Sequence, residues 1–268
     1  MNNHNCSKNT REGPTTNNNL ANQLVSDGFV LPDVPCTADL LERLLVKFHR
    51  RHKKVKEALN GKEIGIGSRA GYKEIVQRSP GRWDIPISPE KFGIEERQTN
   101  WWPLISAVLG DDAEHSFSGV VFSDPDSPAQ CWHIDSPHLS PAHRPAHALN
   151  VMLALHDIPM NMGPTEYACG SHVLTNHLCN PSLQPEKLTY QDTGTCPEWL
   201  VKDTEHEVPE SFATELAAGF CQVFDDRLLH RGLANLSKKV RYVAYFSYRQ
   251  KGYSSNTHFE SRQSVFND

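Results

Sequence analysis

The chain has 268 residues, of which 38% are hydrophobic, and its 27 basic and 32 acidic side chains give a formal net charge of -5. A chain of this length can bury a full hydrophobic core, whereas its negative charge argues against general electrostatic attraction to nucleic acid. No window holds the roughly 18 apolar residues of a membrane span, and the seven cysteines include no C-x-x-C pair, which argues against a disulfide framework or a zinc ribbon.

Residues 1–19 are polar and rich in Asn and Thr, so we expect a disordered tail followed by one folded domain at 20–268. The N-terminal stretch lacks the apolar segment of a secretory signal, and the terminal SVFND is neither a peroxisomal nor a retention tag. We therefore expect a cytoplasmic protein. Within the domain, we expect a helical N-terminal part at 20–115 and a β-rich core at 116–250.

The segment 37–60 is predicted to be a helix, because apolar residues recur on one face. These residues are Leu41, Leu44, Leu45, Phe48, Val55 and Leu59. Thr37 is a suitable N-cap, and Asp39 in the first turn favours the helix start. The stretch 43–56 is strongly basic; we interpret it as a solvated helix face, with binding of an anionic partner as the alternative.

Two aromatic stretches lie between this helix and the β-rich part. Arg82 and Trp83, in SPGRWDIP, are predicted to lie in a Pro/Gly loop, where they are candidates for substrate contact or for surface packing. Trp101 and Trp102 open the run WWPLISAVLG, which is predicted to be a helix with its tryptophans in the core.

From residue 117 onward, short apolar runs alternate with Pro, Gly and Asp, a pattern typical of an antiparallel sandwich or barrel. The predicted strands are 117–122, 130–134, 148–155, 165–168, 220–224 and 240–248. The segment 173–219 interrupts this rhythm. Because long connections are often functional, we interpret it as a cover over the mouth of the barrel.

A His-x-Asp sequence ends the predicted strand at 130–134. Residues i and i+2 lie on the same side of a strand, so His133 and Asp135 can face one metal ion. His230, at the end of an apolar run, is the best candidate for a third ligand. Two histidines and a carboxylate on one face of an octahedron leave three positions open, the arrangement of the non-haem Fe(II) oxygenases.

Arg241 lies eleven residues after His230 and opens the last predicted strand. The intervening RGLANLSKKV contains Gly and Asn, so we expect the two stretches to pair as neighbouring strands, with Arg241 pointing into the barrel. A guanidinium binds a carboxylate through two parallel hydrogen bonds, which suits the distal carboxylate of 2-oxoglutarate. A surface charge is the alternative reading of Arg241.

Three segments resemble motifs of the phytanoyl-CoA dioxygenase (PhyH-like) family of Fe(II)/2-oxoglutarate-dependent oxygenases. They are HID at 133–135, GPTEYACGSH at 163–172 and HRGLANLSKKVR at 230–241. The likeness covers about 115–250, and Met162 and Cys169 stand where the family usually has Asn and Pro. The resemblance implies an α+β fold: a double-stranded β-helix, or jelly-roll and cupin-like barrel, with flanking N-terminal helices.

The resemblance also implies roles for individual residues. The implied Fe(II) ligands are His133, Asp135 and His230. Arg241 would bind the far carboxylate of the cosubstrate 2-oxoglutarate. Thr165 and Gln130 are weaker candidates for cosubstrate contacts, and their alternatives are a hydroxyl bonded to the backbone and a surface amide.

The implied activity is that of a dioxygenase that uses O2 and 2-oxoglutarate to oxidise a C–H bond of a small molecule, releasing succinate and CO2. Hydroxylation, desaturation and oxidative ring closure in the biosynthesis of a specialised metabolite are all open. Two alternatives remain, a peptide or protein hydroxylase with the same chemistry and a non-catalytic metal-binding jelly-roll module. We expect neither a nucleic-acid nor a membrane partner; the substrate and the oligomeric state stay open.

Overall fold

A computed structural model describes residues 17–179, 210–253 and 263–266. The helices are α1 (Asn17–Asp27), α2 (Ala38–Leu59), α3 (Pro89–Phe92) and α4 (Trp102–Leu109). The strands are β1 (Phe29–Val30), β2 (Val76–Ser79), β3 (Arg82–Pro86), β4 (Glu114–Ser123), β5 (Ala148–Ala154), β6 (Thr165–Ala168), β7 (Ser211–Ala213), β8 (Cys221–Asp225), β9 (His230–Gly232) and β10 (Arg241–Arg249). Within the described residues they form a seven-stranded sheet, in the order β1-β8-β5-β10-β4-β3-β2, and a three-stranded sheet, in the order β7-β6-β9.

The large sheet is antiparallel, and its central strand β10 pairs with β4 on one side and β5 on the other. Alternate residues of a strand face opposite sides. Ala244 and Phe246 therefore lie in the core between the sheet and the helices, while Tyr245 and Ser247 line a cavity on the other side. The small sheet lies across this cavity, where the ring of Tyr167 is 5.3 Å from that of Phe224. Two facing sheets with outer helices confirm the predicted α+β double-stranded β-helix.

Helix α2 covers the outer face of the large sheet, as its apolar pattern predicts. Its buried residues are Leu40, Leu44, Phe48 and Val55. The Thr37 hydroxyl accepts a hydrogen bond from the Leu40 amide, and Asn60 ends the helix in the left-handed conformation, so the predicted boundaries are confirmed. Lys53 and Lys54 on the basic side are exposed, which agrees with a solvated face.

The second tryptophan segment also behaves as predicted. Trp101 is fully buried just before α4, where its ring stacks on Phe246 at 5.1 Å and its indole N–H donates to the Tyr248 hydroxyl at 3.0 Å. Burial of a tryptophan is favourable when its N–H has an acceptor. The predicted core position of this residue is therefore confirmed.

The N-terminal part differs from the helical expectation for 20–115. Strands β1, β2 and β3 belong to the large sheet, and β3 pairs with β4 from Arg82 opposite Ser123 to Pro86 opposite Gly119. The hairpin between β2 and β3 turns through Gly81 at a φ of 66°, a value that favours glycine. Strand β3 has only five residues, and charged residues alternate in it with apolar ones. So short a stretch gives a weak strand signal, which explains why the strand was not predicted from the sequence.

The ends of the chain and its long insertion are only partly described. Helix α1 begins at Asn17, inside the stretch predicted as a disordered tail, and the remainder of that tail lies outside the described residues. The same holds for 180–209, the middle of the predicted cover at 173–219.

The structure bears on two expectations drawn from composition, which concern membrane spans and disulfides. Across the described ranges, no helix combines the length and the apolar character that crossing a membrane requires. Cys36, Cys131, Cys179 and Cys221 are not in disulfide bonds, but Cys169 is disulfide-bonded, so the cysteine pattern did not exclude every disulfide.

Candidate active site

Three side chains that can bind a metal ion meet at one end of the cavity. The ligand atoms of His133, Asp135 and His230 all lie within 4.8 Å of one another. His230 opens β9 in the small sheet, whereas His133 and Asp135 belong to the connection between β4 and β5. Residues nearly a hundred positions apart are thus brought together by the facing sheets.

The backbone fixes the relative position of the two histidines. His133 and His230 exchange two N–H···O bonds of 3.0 Å, and their ring centroids lie 4.4 Å apart. The amide of Asp135 does not continue this pairing but donates to the Asp226 carbonyl at 2.8 Å. The predicted strand at 130–134 is therefore wrong, because the segment makes a single bridge and then turns away.

Both imidazoles are held with one ring nitrogen facing the cavity. The Nδ1 atoms of His133 and His230 lie 2.9 Å from the carbonyl oxygens of Cys131 and Leu228, respectively. A protonated Nδ1 bonded to a carbonyl leaves Nε2 as the metal-binding atom. Burial lowers the pKa of each histidine to about 4, so both are neutral at pH 7, the form that binds metals.

The carboxylate of Asp135 is oriented by a neighbouring amide. The Asn150 Nδ2 donates to Asp135 Oδ2 at 2.7 Å, and the Ser247 hydroxyl donates to Asn150 Oδ1. The same carboxylate oxygen lies 3.7 Å from Nε2 of His230. Two imidazole nitrogens and a held carboxylate are a donor set that fits Fe(II) and leaves other coordination positions open. The sequence reading gave Asn150 no role; a polar residue inside the apolar run ALNVMLAL was the available signal.

Arg241 is buried at the other end of the same cavity. Its Nη2 donates to the Ser123 hydroxyl at 3.1 Å, and its Nε and Nη1 have no hydrogen-bond partner within the described part of the chain. Burial lowers its pKa to about 10, so the guanidinium stays charged at pH 7. The arrangement offers two free donors of a charged group to an anion.

The strand pairing predicted for Arg241 is wrong, although its place in the cavity is as expected. Strand β9 pairs with β6 in the small sheet, whereas β10 pairs with β4 and β5 in the large sheet. The connection at 233–240 crosses between the sheets. The Asn235 side-chain amide holds this crossing by donating to the carbonyls of Ser123, Asp124 and Lys239.

The two weaker cosubstrate candidates also face the cavity. Thr165 is buried on β6 opposite Gly232 of β9, and both line the cavity wall. Gln130 accepts a hydrogen bond from the Gly232 amide at 3.1 Å through Oε1. The structure therefore places both residues where a cavity ligand can reach them, and Gln130 is not a surface amide.

The predicted substrate pair is divided between two faces of a strand. Arg82 and Trp83 belong to β3 rather than to a loop, so their side chains point in opposite directions. Arg82 lines the cavity and is 1% exposed. Trp83 packs against the core outside the cavity, and its indole N–H donates to Asp124 at 2.8 Å. Substrate contact by Trp83 is not compatible with this position.

The cavity has a volume of about 240 Å³ and combines charged and apolar walls. Its apolar lining comes from Phe117, Val121, Ile134, Met152 and Phe224. A concave space in which polar groups converge beside apolar side chains is typical of a site for a small molecule.

One charged network in the cavity wall was missed by the sequence reading. The Nε and Nη2 atoms of Arg78 donate to Asp84 Oδ2 at 2.9 and 2.6 Å, and the Tyr245 hydroxyl donates to the same carboxylate at 3.0 Å. A side chain at Gly119 would collide with both Asp84 and Tyr245. Burial, together with the Asp84 charge, raises the pKa of Tyr245 well above its usual value, so the hydroxyl stays protonated.

The other histidines of the connection after Asp135 do not form a second metal site in the described ranges, where the group above is the one set of three metal-binding side chains. His138 is buried and its Nε2 lies 2.9 Å from the Thr175 hydroxyl. His172, in the CGSH segment, bonds the Val25 carbonyl at 3.1 Å through Nε2, so its side chain is tied to the backbone of the N-terminal part.

Comparison with known proteins gives one family and a set of similar structures. The phytanoyl-CoA dioxygenase (PhyH) family model matches residues 25–243. AviO1 from Streptomyces viridochromogenes Tue57 is 14% identical with a TM-score of 0.60, over 92% of this chain and all of that one. The carbocyclase SnoK from nogalamycin biosynthesis is 20% identical with a TM-score of 0.60, over 89% and 88% of the two chains. HygX from Streptomyces hygroscopicus, solved with nickel, 2-oxoglutarate and hygromycin B, is 13% identical with a TM-score of 0.56, over 88% of each chain. At these identities the structures show a shared fold.

Proposed function

The chain belongs to the phytanoyl-CoA dioxygenase family, and from this premise we propose that it oxidises a C–H bond of a small molecule in the biosynthesis of a specialised metabolite. As a member of the family, it is a non-haem oxygenase that uses Fe(II), 2-oxoglutarate and O2. When bound, the iron supplies the chemistry that couples oxidative decarboxylation of 2-oxoglutarate to substrate oxidation. For a hydroxylation, one O2 gives one oxygen atom to succinate and one to the product, and CO2 leaves.

The observation that carries the proposal is the convergence of the metal ligands and a buried arginine on one cavity. We assign the iron to His133, Asp135 and His230. Arg241 lies in the same cavity, so it can bind the distal carboxylate of a diacid whose other end is at the metal. Thr165 and Gln130 are proposed as further polar contacts of the cosubstrate, since both line the same wall.

A small-molecule substrate is supported by the shape of the site. The cavity of about 240 Å³ lies between the sheets, with Phe117, Met152 and Phe224 in its lining. The similar structures include HygX with hygromycin B bound and a carbocyclase from nogalamycin biosynthesis. Hygromycin B and nogalamycin are both small molecules. Nothing in the described residues favours a peptide substrate over this reading. Because the chain is an enzyme, a purely structural metal module is set aside.

The proposal treats 20–268 as one oxygenase domain. The large sheet contains both β1 at Phe29 and β10 at Arg249, so the N-terminal part contributes to the same core. The family match at 25–243 spans both the N-terminal part and the β-rich core.

Anaerobic optical spectroscopy tests the assignment of the site. Fe(II) and 2-oxoglutarate added together to the purified protein are expected to give a weak visible charge-transfer band that neither gives alone. Asp135→Ala should abolish the band, since it removes a metal ligand, whereas Arg249→Met, outside the cavity, should leave it. A folded wild-type protein that takes up iron but shows no band would contradict the proposed function.

A further inference from the structure

A second arginine is buried beside Arg241 in the same cavity wall. In the large sheet, Ser123 of β4 lies opposite Arg82 of β3 on one side and opposite Arg241 of β10 on the other. Residues directly opposite each other in antiparallel strands point to the same face. The two guanidinium groups therefore flank Ser123 on the side that faces the cavity, and all three residues are buried.

Neither guanidinium has enough acceptors within the described part of the chain. The Arg82 Nη2 donates to the carbonyls of Leu233 at 3.1 Å and Pro128 at 3.4 Å. Among the described residues, Nε and Nη1 of Arg82 have no hydrogen-bond partner, and the same two atoms of Arg241 have none. Burial, together with the charge of Arg241, lowers the pKa of Arg82 well below its usual value. Unpaired buried cations are costly, so the site is built to receive a negative charge.

The position of Arg82 matches the distal end of the cosubstrate rather than the substrate. A side chain at Gly232 would collide with Arg82 Nη1, so this glycine provides the space that the guanidinium occupies. Gly232 is two residues beyond His230 on β9, about 6.6 Å along the strand. The guanidinium of Arg82 thus lies near the proposed metal site but is displaced from it along β9. At 1% exposure, Arg82 also lacks the access that a bulky substrate needs.

We propose that Arg82 is a second binding residue for the distal carboxylate of 2-oxoglutarate, so that two guanidinium groups, with Ser123 between them, hold this end of the cosubstrate. The inference rests on the proposed function and replaces the substrate contact that the sequence reading assigned to Arg82. A carboxylate has about four lone-pair sites, so its two oxygens can accept hydrogen bonds from both arginines at once. Arg82 is a binding residue in this proposal and takes no part in proton transfer.

The test compares two 2-oxo acids on Ni(II)-loaded protein by isothermal titration calorimetry. Both 2-oxoglutarate and 2-oxobutyrate carry the metal-chelating 2-oxo acid group, but only 2-oxoglutarate carries a distal carboxylate. Arg82→Met is expected to weaken 2-oxoglutarate binding about 10-fold to 100-fold, as for loss of a charged hydrogen bond, and to change 2-oxobutyrate binding by less than about twofold. Arg249→Met, on β10 outside the cavity, is the matched control and should change neither.

Two further variants allow the proposal to be tested even if Arg82→Met does not fold. Arg82→Lys retains the charge but loses the planar fork, so it should bind 2-oxoglutarate with intermediate affinity. Gly232→Ala leaves Arg82 in place but displaces its guanidinium, and should weaken 2-oxoglutarate more than 2-oxobutyrate. Circular dichroism of each variant establishes that it is folded.

The outcomes separate this inference from the proposed function. If wild-type protein loaded with Ni(II) does not bind 2-oxoglutarate, the proposed function fails. If it binds but folded Arg82→Met binds equally well, or loses both 2-oxo acids to the same extent, the role of Arg82 is overturned while the proposed function stands. A selective loss of 2-oxoglutarate in Arg82→Met supports the two-arginine site.

Discussion

At the scale of single residues, the least buried of the three proposed iron ligands depends on a relay of hydrogen bonds. The carboxylate of Asp135 is about one-third exposed, whereas His230 is buried, and the Asn150 amide donates a hydrogen bond to this carboxylate in the cavity. Ser247 in turn fixes the amide orientation by donating to Asn150 Oδ1. Groups that orient metal ligands contribute to metal affinity without touching the metal.

We predict that Asn150→Ala weakens metal binding about 10-fold to 100-fold, because Asp135 loses the donor that orients it. Competition between the protein and a chelator for Ni(II) measures the change. Asn176→Ala is the matched control, since Asn176 is a buried amide that bonds the carbonyls of Ser140 and Pro141 away from the metal. Equal metal affinities for wild-type protein and Asn150→Ala would remove Asn150 from the metal site.

The sequence predicted the four side chains to which we assign the chemistry but not those that position them. His133, Asp135, His230 and Arg241 stand out because their residue types and spacing match a known donor set. Asn150 does not, because its effect depends on a contact with a loop fifteen residues earlier. Arg82 was noticed as a cationic residue, but its register opposite Ser123 is a property of the sheet. Such register is not readable from a five-residue strand.

At the scale of elements, the connection that carries Asp135 is fixed by a buried ion pair before His230. The Arg227 Nε and Nη2 atoms donate to the Asp225 carboxylate at 2.8 and 2.5 Å, and its Nη1 donates to the Arg144 carbonyl at 3.0 Å. The carbonyl of Asp226 accepts from the Asp135 amide. One turn between β8 and β9 therefore supports both the connection and the strand that bears His230.

We predict that Arg227→Met lowers the free energy of unfolding by about 3–5 kcal/mol, because it leaves the Asp225 carboxylate buried without its partner. Urea denaturation followed by circular dichroism measures the change. Adding Asp225→Asn to Arg227→Met should recover part of the loss, since the unpaired charge is then gone. Additive losses in the double variant would show that the two residues do not act as a pair.

The elements that could be predicted from the sequence are those with a clear pattern of apolar residues. Helix α2 has a long apolar face, and β4, β5 and β10 each contain an apolar stretch, so all were located from the sequence. The segment at 130–134 looks like a strand, but it turns away after His133, because the amide of Asp135 bonds the turn before β9. Pairing of β9 with β6 rather than β10 was also unpredictable, since it depends on the crossing held by Asn235.

At the scale of the whole molecule, buried neutral histidines make stability depend on pH. Burial lowers the pKa of His115 and His147 to about 4 and that of His138 to about 3, and none of the three is an assigned metal ligand. In the unfolded chain a histidine titrates near 6.5. Between these values the unfolded state binds more protons, so stability falls as the pH decreases from about 6.5 toward 4. The raised pKa values of Asp226 and Glu96 act in the opposite direction, on two groups against these three histidines.

We predict that metal-free protein loses several kcal/mol of unfolding free energy between about pH 7.5 and about pH 5, with most of the loss below about pH 6.5. Urea titrations at a series of pH values measure it. His147→Asn should have a shallower dependence, because one of the contributing groups is absent. A free energy of unfolding that does not change over this range would contradict the neutral, buried state of these histidines.

The crossing at 233–240 has a consequence for the molecule as a whole. It leaves His230 on one sheet and Arg241 on the other, with the cavity between them. A diacid chelated at one end and salt-bridged at the other would tie the two layers of the sandwich together across their gap. Binding of 2-oxoglutarate would then also make the protein more rigid, because the bound cosubstrate cross-links the two sheets. Its conversion to the shorter diacid succinate would release that cross-link.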